Sequence, residues 1–161
     1  MNIITDMAKL NMDKDCAVAI GKFDGFHKGH KLLIDRLKEY EKQGLNSVVF
    51  TFDMNPKLFF SNNDYKYIYT RDEKIKYLEE FGIDTLVELP VNEKYMGMEP
   101  EQFIEKILVE KLRAREVAVG EDFRFGKDRR GDIRLLEKLG VIYGYNIDAI
   151  KKAHDRGLII S

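Results

Sequence analysis

Short apolar runs alternate along this chain with longer segments whose apolar residues recur three and four positions apart, the pattern of buried strands separated by amphipathic helices. Cys16–Ile20 (CAVAI) reads as a buried strand, and residues 31–42 as a helix with Leu33, Leu37 and Tyr40 on one face. The series continues with strand 47–52 (SVVFTF), helix 70–81, strand 84–89 (DTLVEL), helix 99–112, strand 116–119, helix 133–139 and strand 145–150. In helix 99–112 the apolar side is Phe103, Ile104, Ile107, Leu108 and Leu112. The punctuation agrees: Thr70 with Glu73 forms a capping box, Pro100 stands where a first helical residue tolerates proline, and Gly44 and Gly82 fall where helices end. Strands separated by helices of this length pair in parallel through right-handed crossovers, which predicts an α/β fold, a parallel sheet flanked by helices on both faces. The least regular stretches are residues 54–69 and 121–132. In such a fold they emerge at the carboxyl ends of the strands, where open parallel sheets bind their ligands.

Composition narrows the function without naming it. At 161 residues the chain has the size of one domain, large enough to bury a core. Its 27 basic and 28 acidic side chains nearly cancel, so bulk electrostatics gives no case for nucleic acid or anionic lipid, and any anion must be bound locally. The single cysteine, Cys16, excludes an internal disulfide framework and fits a reducing, cytoplasmic setting. No apolar run approaches the length of a membrane span.

The chemistry concentrates in residues 20–33, IGKFDGFHKGHKLL. Here a strand feeds a helix through a turn with three glycines and with His27 and His30 one helical turn apart. Unpaired backbone N–H groups and the positive end of the dipole at a helix start attract anions. Gly25 and Gly29 let the backbone approach a ligand, and both imidazoles can reach it from one face. Imidazole is a compact donor, neutral or cationic near pH 7, suited to charge building up on a phosphoryl oxygen. The pattern is neither a G-x-G-x-x-G fingerprint nor a P-loop, and it lacks a third residue at metal-ligand spacing, so no protein metal site is expected.

Gly21-x-Phe23-Asp24-Gly25-x-His27-x-Gly29-His30 resembles the signature of the bacterial bifunctional riboflavin kinase/FAD synthetase family, in its N-terminal FMN adenylyltransferase module. Residues 51–56 (TFDMNP) resemble the family's Thr-Phe-x-Pro-His-Pro segment. Residues 119–126 (VGEDFRFG) resemble its Val-Gly-x-Asp-Phe-x-Phe-Gly loop, and Lys74 falls on the helix that often carries a lysine. The resemblance implies a Rossmann-like nucleotidylyltransferase fold and the transfer of AMP from ATP to FMN, giving FAD and diphosphate with Mg2+ and no covalent intermediate. It implies that His27 and His30 hold the ATP phosphates, that Gly21, Phe23 and Gly29 shape the ATP pocket, and that Asp122 lies near the reacting phosphates or their Mg2+. Asn55 and Pro56 fall in a flavin-binding loop, and Phe123, Phe125 and Gly126 on the flavin side. Bland roles stand beside these: Phe123 and Phe125 could simply plug the end of the sheet, and Asp122 could only cap a turn.

Two departures qualify the resemblance. Asn55 stands where the family often has histidine, and Met54 where it often has proline, which implies a different or looser grip on the flavin. Residues 157–161 (GLIIS) resemble the lead-in to a Ser-Ser-Thr-x-Ile-Arg motif that helps hold ATP phosphates in the family, and the sequence stops at its first serine. The expectation is therefore one module, residues 1–161, truncated at its C-terminal end, without a riboflavin kinase domain and with impaired activity. Charge-assisted contacts of the missing kind contribute about 1.5 to 3 kcal/mol each. Two rival readings follow, a related nucleotidylyltransferase with another phosphorylated acceptor, such as a cytidylyltransferase, and a non-catalytic flavin- or nucleotide-binding remnant. Oligomeric state is not legible.

Overall fold

A computed structural model describes residues 1–21, 28–53, 71–151, 153–155 and 158–160, with backbone alone for 28–30, 53, 153–155 and 158–160. The main sheet has six parallel strands, β1 (Asn2–Ile4), β2 (Cys16–Ile20), β3 (Asn46–Asp53), β4 (Thr85–Pro90), β5 (Ala114–Gly120) and β6 (Asn146–Ile150), in the order β1-β4-β3-β2-β5-β6. A two-stranded antiparallel ribbon, β7 (Ala153–Asp155) and β8 (Leu158–Ile160), follows. The parallel α/β sandwich expected from the periodicity is thus present.

Period-2 alternation divides each central strand between two cores. Ala17, Ala19, Val49, Leu86 and Ala118 face α1 (Lys28–Glu41) and α2 (Arg71–Glu80), packing with Leu33, Ile34, Leu37 and Leu78. Val18, Ile20, Val48, Phe50, Val87, Leu89, Val117 and Val119 face the opposite layer with Phe103, Ile104, Ile107, Leu108 and Leu136. That layer contains α3 (Glu93–Met96), α4 (residues 100–111) and α5 (Ile133–Tyr143). Alanines on the first face let α1 lie close to the strands, and larger side chains on the second fill a thicker layer.

Several elements differ from the periodicity. The helix expected at 99–112 is one α-turn, Pro100–Gln102, followed by a π-helix, Phe103–Lys111, the two together forming α4. The Leu112 N–H donates to the Ile107 carbonyl, five residues back, at 2.9 Å. Apolar residues four and five apart, Phe103, Leu108 and Leu112, suit this wider turn as well as an α-helix, so spacing could not separate the two. The helix expected at 31–42 starts earlier, at Lys28, and the one expected at 133–139 runs on to Tyr143. β1, α3 and the β7–β8 ribbon were not expected at all. β1 is three residues long and exists through its pairing with β4, Asn2 against Thr85 and Ile4 against Val87, a contact that a local pattern cannot show. The irregular stretch 121–132 contains a short 3-10 turn, Lys127–Arg129. Thr70, half of the expected capping box, lies outside the described residues.

Polar ties fix the layers to one another. Tyr40 of α1 donates to Asp148 of β6 at 2.8 Å, beside the Arg36–Asp148 ion pair at 3.2 Å, and burial pushes the phenol's pKa up. Tyr145 donates to the Leu136 carbonyl at 2.7 Å and closes α5 against β6. Asp15 takes Arg115 and Arg113 at the amino ends of the strands, and the Arg115 hydrogen bond chiefly holds its carboxyl below the usual range. Cys16 is fully buried, and desolvation pushes its thiol up to about 12. No helix among the described residues is long and apolar enough to cross a membrane.

Candidate active site

The winding of the chain locates a crevice. From β2 the chain passes through α1 to β3 and through α2 to β4, always outward on one side, with both helices on one face. It then returns to the other side of β2, building β5 and β6 with helices on the opposite face. The direction reverses between β2 and β5, and in open α/β sheets ligands bind outside the carboxyl ends of the strands at such a reversal.

The described parts of the sequence motifs sit at this reversal. Gly21 follows β2 directly, and its N–H donates to the Phe50 carbonyl of β3 at 3.1 Å. α1 begins at Lys28, so Gly29 and His30 lie in its first turn, at the carboxyl edge of the sheet. Ile20 pairs with Val119, which brings the ends of β2 and β5 side by side. β5 then closes into a tight turn, with the Phe123 N–H donating to the Gly120 carbonyl at 3.0 Å, and the exposed Asp122 stands in it. The Glu121 N–H donates to the Ile150 carbonyl at 3.0 Å and ties this turn to β6. Gly21, Gly29, His30 and Asp122 therefore share one edge at one reversal point.

Beyond the turn, the loop forms an aromatic wall. Phe123 and Phe125 stack with ring centroids 5.6 Å apart and planes 13° from parallel. Phe52 stacks on Phe123 at 6.5 Å, while Phe103 meets Phe125 at 5.4 Å and Phe50 at 5.7 Å. Phe125 is only 4% exposed and belongs to the core, whereas Phe123 is half-buried at the rim. Gly126 serves the backbone: φ is +76°, and a Cβ there would meet Pro100 Cα at 2.9 Å. Phe125 and Gly131 exchange both backbone hydrogen bonds, at 3.2 and 2.8 Å, and Asp132 caps α5 by accepting from the Leu135 N–H at 3.0 Å. Arg124 pairs with Asp132 at 3.4 Å, and Arg130 pairs with Glu99 just before Pro100.

Phe23, Asp24, Gly25, His27, Asn55 and Pro56 lie outside the described residues, and of Gly29 and His30 only the backbone is described. Among the described residues no three His, Cys, Asp or Glu side chains group as a metal site. Sequence reasoning passed over Phe52 and Phe103, each of which reads locally as one more apolar position. It also passed over Glu88, a lone carboxylate inside the apolar run of β4, which Arg71 and Lys74 approach from α2. A charge in a strand buried on both faces was the signal available.

A family model described as FAD synthetase matches residues 9–161. The bifunctional riboflavin kinase/FMN adenylyltransferase of Escherichia coli (strain K12) is 36% identical over 148 residues, covering 91% of this chain and 47% of that protein. The chain thus spans about half the length of the curated relatives it matches. Among solved structures, a Streptococcus pneumoniae protein titled a macrolide-efflux protein superposes with a TM-score of 0.80 at 23% identity, covering 99% of this chain and 52% of its own. A Francisella tularensis pantoate-beta-alanine ligase, complexed with beta-gamma ATP and beta-alanine, superposes at 0.62 with 18% identity, covering 100% and 71%. At these identities the structural likeness speaks to the fold alone, a parallel α/β sheet with helices on both faces.

Proposed function

The chain belongs to the FAD synthetase family, and on that premise we propose that it is an FMN adenylyltransferase, converting ATP and FMN to FAD and diphosphate. The observation that carries this reading is the reversal-point edge itself, with an anion-ready helix start and the Asp122 turn on adjoining strand ends and a phenylalanine wall at one side. The two parts suit the two halves of the reaction, polyphosphate on one and a flat apolar ring on the other.

In this mechanism an oxygen of the FMN phosphate attacks the α-phosphorus of ATP, and diphosphate leaves with the electrons of the broken P–O bond. Nothing need bond to the protein, so catalysis is positioning plus electrostatic stabilisation. The first turn of α1 turns backbone N–H groups toward the phosphates. His27 and His30 donate to phosphate oxygens as charge moves onto the leaving group, a contribution that does not require them to change partners during the reaction. Gly21 and Gly29 keep the backbone close, and Phe23, Asp24 and Gly25 serve the same nucleotide side. Phe123 offers its half-exposed face to the isoalloxazine, and Phe125 backs it from the core. Asn55 and Pro56 complete the flavin side.

Adenylyl transfer from ATP calls for a divalent cation, here Mg2+, which neutralises phosphate charge when bound with the nucleotide. Asp122 fits that ion: it is an exposed, hard oxygen donor, and Mg2+ carried on phosphates takes only one or two carboxylates. The reading implies work in the cytoplasm, where ATP is at hand.

The test is incubation of the chain with ATP, FMN and Mg2+, with FAD followed by chromatography and fluorescence. FAD formation that requires all three is expected. Binding of both substrates without FAD favours a non-catalytic binding role. A preference for CTP, or for another phosphorylated acceptor, moves the chain to a sister nucleotidylyltransferase activity.

A further inference from the structure

Glu88 is the one charged residue of β4, and it is 2% exposed, with Leu86, Val87 and Leu89 buried around it. Its carboxylate is held by two cations. Arg71 donates from Nε at 3.0 Å and Nη2 at 2.8 Å to Oε1, with a longer Nε contact to Oε2 at 3.3 Å, and Lys74 Nζ lies 3.9 Å from Oε2. Arg71 is 51% exposed at its side chain and Lys74 12%. Stability alone gives little reason for this arrangement. An ion pair taken out of water loses much of its attraction to desolvation, and apolar side chains of like size usually serve a core as well. What the carboxylate supplies is a fixed place for two positive groups.

That place is on the functional edge. Glu88 pairs in register with Thr51 of β3, next to Phe50, whose carbonyl takes the Gly21 N–H. α2 runs back from the carboxyl edge, so its first turn, with Arg71 and Lys74, starts there, on the same face as α1. The two cations are three residues apart and share a side of the helix, while Asp72 and Glu73 fall on other sides and are exposed. Glu88 engages the Nε–Nη2 edge of the guanidinium, which turns the Nη1 edge away from the carboxylate.

We infer that Glu88 is a positioning residue that sets Arg71 and Lys74 as a cationic pair for a phosphate group of the substrates. The identity of the phosphate rests on the adenylyltransferase reading; the pair itself does not. It serves either the polyphosphate of ATP or the monophosphate of FMN.

Isothermal titration of the 161-residue chain with ATP, FMN and inorganic diphosphate, and with adenosine and riboflavin as phosphate-free partners, tests this. Arg71→Met is expected to weaken a phosphate ligand about tenfold and to leave the phosphate-free partner unchanged. Loss in the ATP and diphosphate arms identifies the polyphosphate, and loss in the FMN arm the flavin phosphate. Glu88→Gln is the sharper variant. A carboxylate merely near the site would repel the anion, so removing its charge would tighten binding; a positioning role makes Glu88→Gln weaken it about fivefold. The triple change Arg71→Met, Lys74→Met, Glu88→Leu removes the buried carboxylate together with both of its cations and is expected to fold and to show the same loss. Wild-type strength or tighter binding in Glu88→Gln, unchanged binding in Arg71→Met, or no binding of any phosphate ligand by the wild type overturns the inference. The expected pattern without FAD formation by the wild type leaves the inference intact and removes the proposed activity instead.

Discussion

On the face covered by α1 and α2 the sheet presents Ala17, Ala19 and Ala118 at its centre, with Thr51 and Glu88 buried toward the carboxyl edge. On the opposite face it presents Val18, Val117 and Phe50 at the centre and carries phenylalanines, Phe52, Phe123 and Phe125, to the same edge. One edge thus meets two chemistries. Small side chains let a helix start come close to the strand ends, where backbone N–H groups and cations stand ready for the phosphate of the proposed reaction. Large flat side chains build a wall that has no donors and can only stack. The difference teaches how one sheet presents two chemistries at one edge: alternation along each strand sends successive residues to opposite faces, so polar and aromatic surfaces can be built from adjoining positions.

The contrast can be broken from either side. Truncation in the aromatic layer below the rim has the largest expected effect on stability. Phe103→Ala removes a 4%-exposed ring that touches both Phe50 and Phe125, and urea unfolding is expected to show a loss of about 3–5 kcal/mol. On the phosphate face the expected loss is in rate. His30→Ala is expected to lower FAD formation about 10²- to 10³-fold, equivalent to about 2.7–4 kcal/mol, with the unfolding midpoint unchanged. Full turnover in that variant removes the histidine from the mechanism.

At the rim the two properties separate. Phe123→Ala is expected to raise the KM for FMN several-fold and leave the KM for ATP alone, since a stacked aromatic pair contributes about 0.5–1.5 kcal/mol. Equal shifts in both constants would mean that the wall does not discriminate between the substrates. The smallest effect belongs to the far end of the same face. The Cys16 thiol is raised from 9.0 to about 12 by burial, so the native state keeps its proton where the unfolded chain loses it. The thiol's contribution to stability is present below pH 9 and falls as pH rises from there toward 12. Iodoacetamide at pH 8.5 or so is expected to spare Cys16 in the folded chain and modify it in urea.

Much of this architecture was legible in the amino-acid order because strands buried on both faces and amphipathic helices impose different spacings. CAVAI, SVVFTF and TLVEL are short, mostly apolar runs, and each became an interior strand of the sheet. The edge strand β1 was not legible, since three residues carry no period and gain their partner only from β4. The π-helix was not legible either, because its apolar positions satisfy two helical repeats. At the site, the turn after β2 and the loop after β5 stood out as motifs. Phe125 did not reveal its side: alternation with Phe123 suited both a flavin wall and a plug, and in the fold Phe125 fills the core while Phe123 reaches the rim.

By itself the sequence determined that strands alternate with helices, that a glycine- and histidine-bearing motif leads into a helix, and that the chain resembles the FAD synthetase family, since each depends on neighbours along the chain. Only the tertiary structure decided the order β1-β4-β3-β2-β5-β6 and the reversal between β2 and β5, the stacking of Phe52 on Phe123, and the burial of Glu88 beneath Arg71 and Lys74. These join residues distant in the chain, and their free energy comes from surfaces that meet only after the layers close.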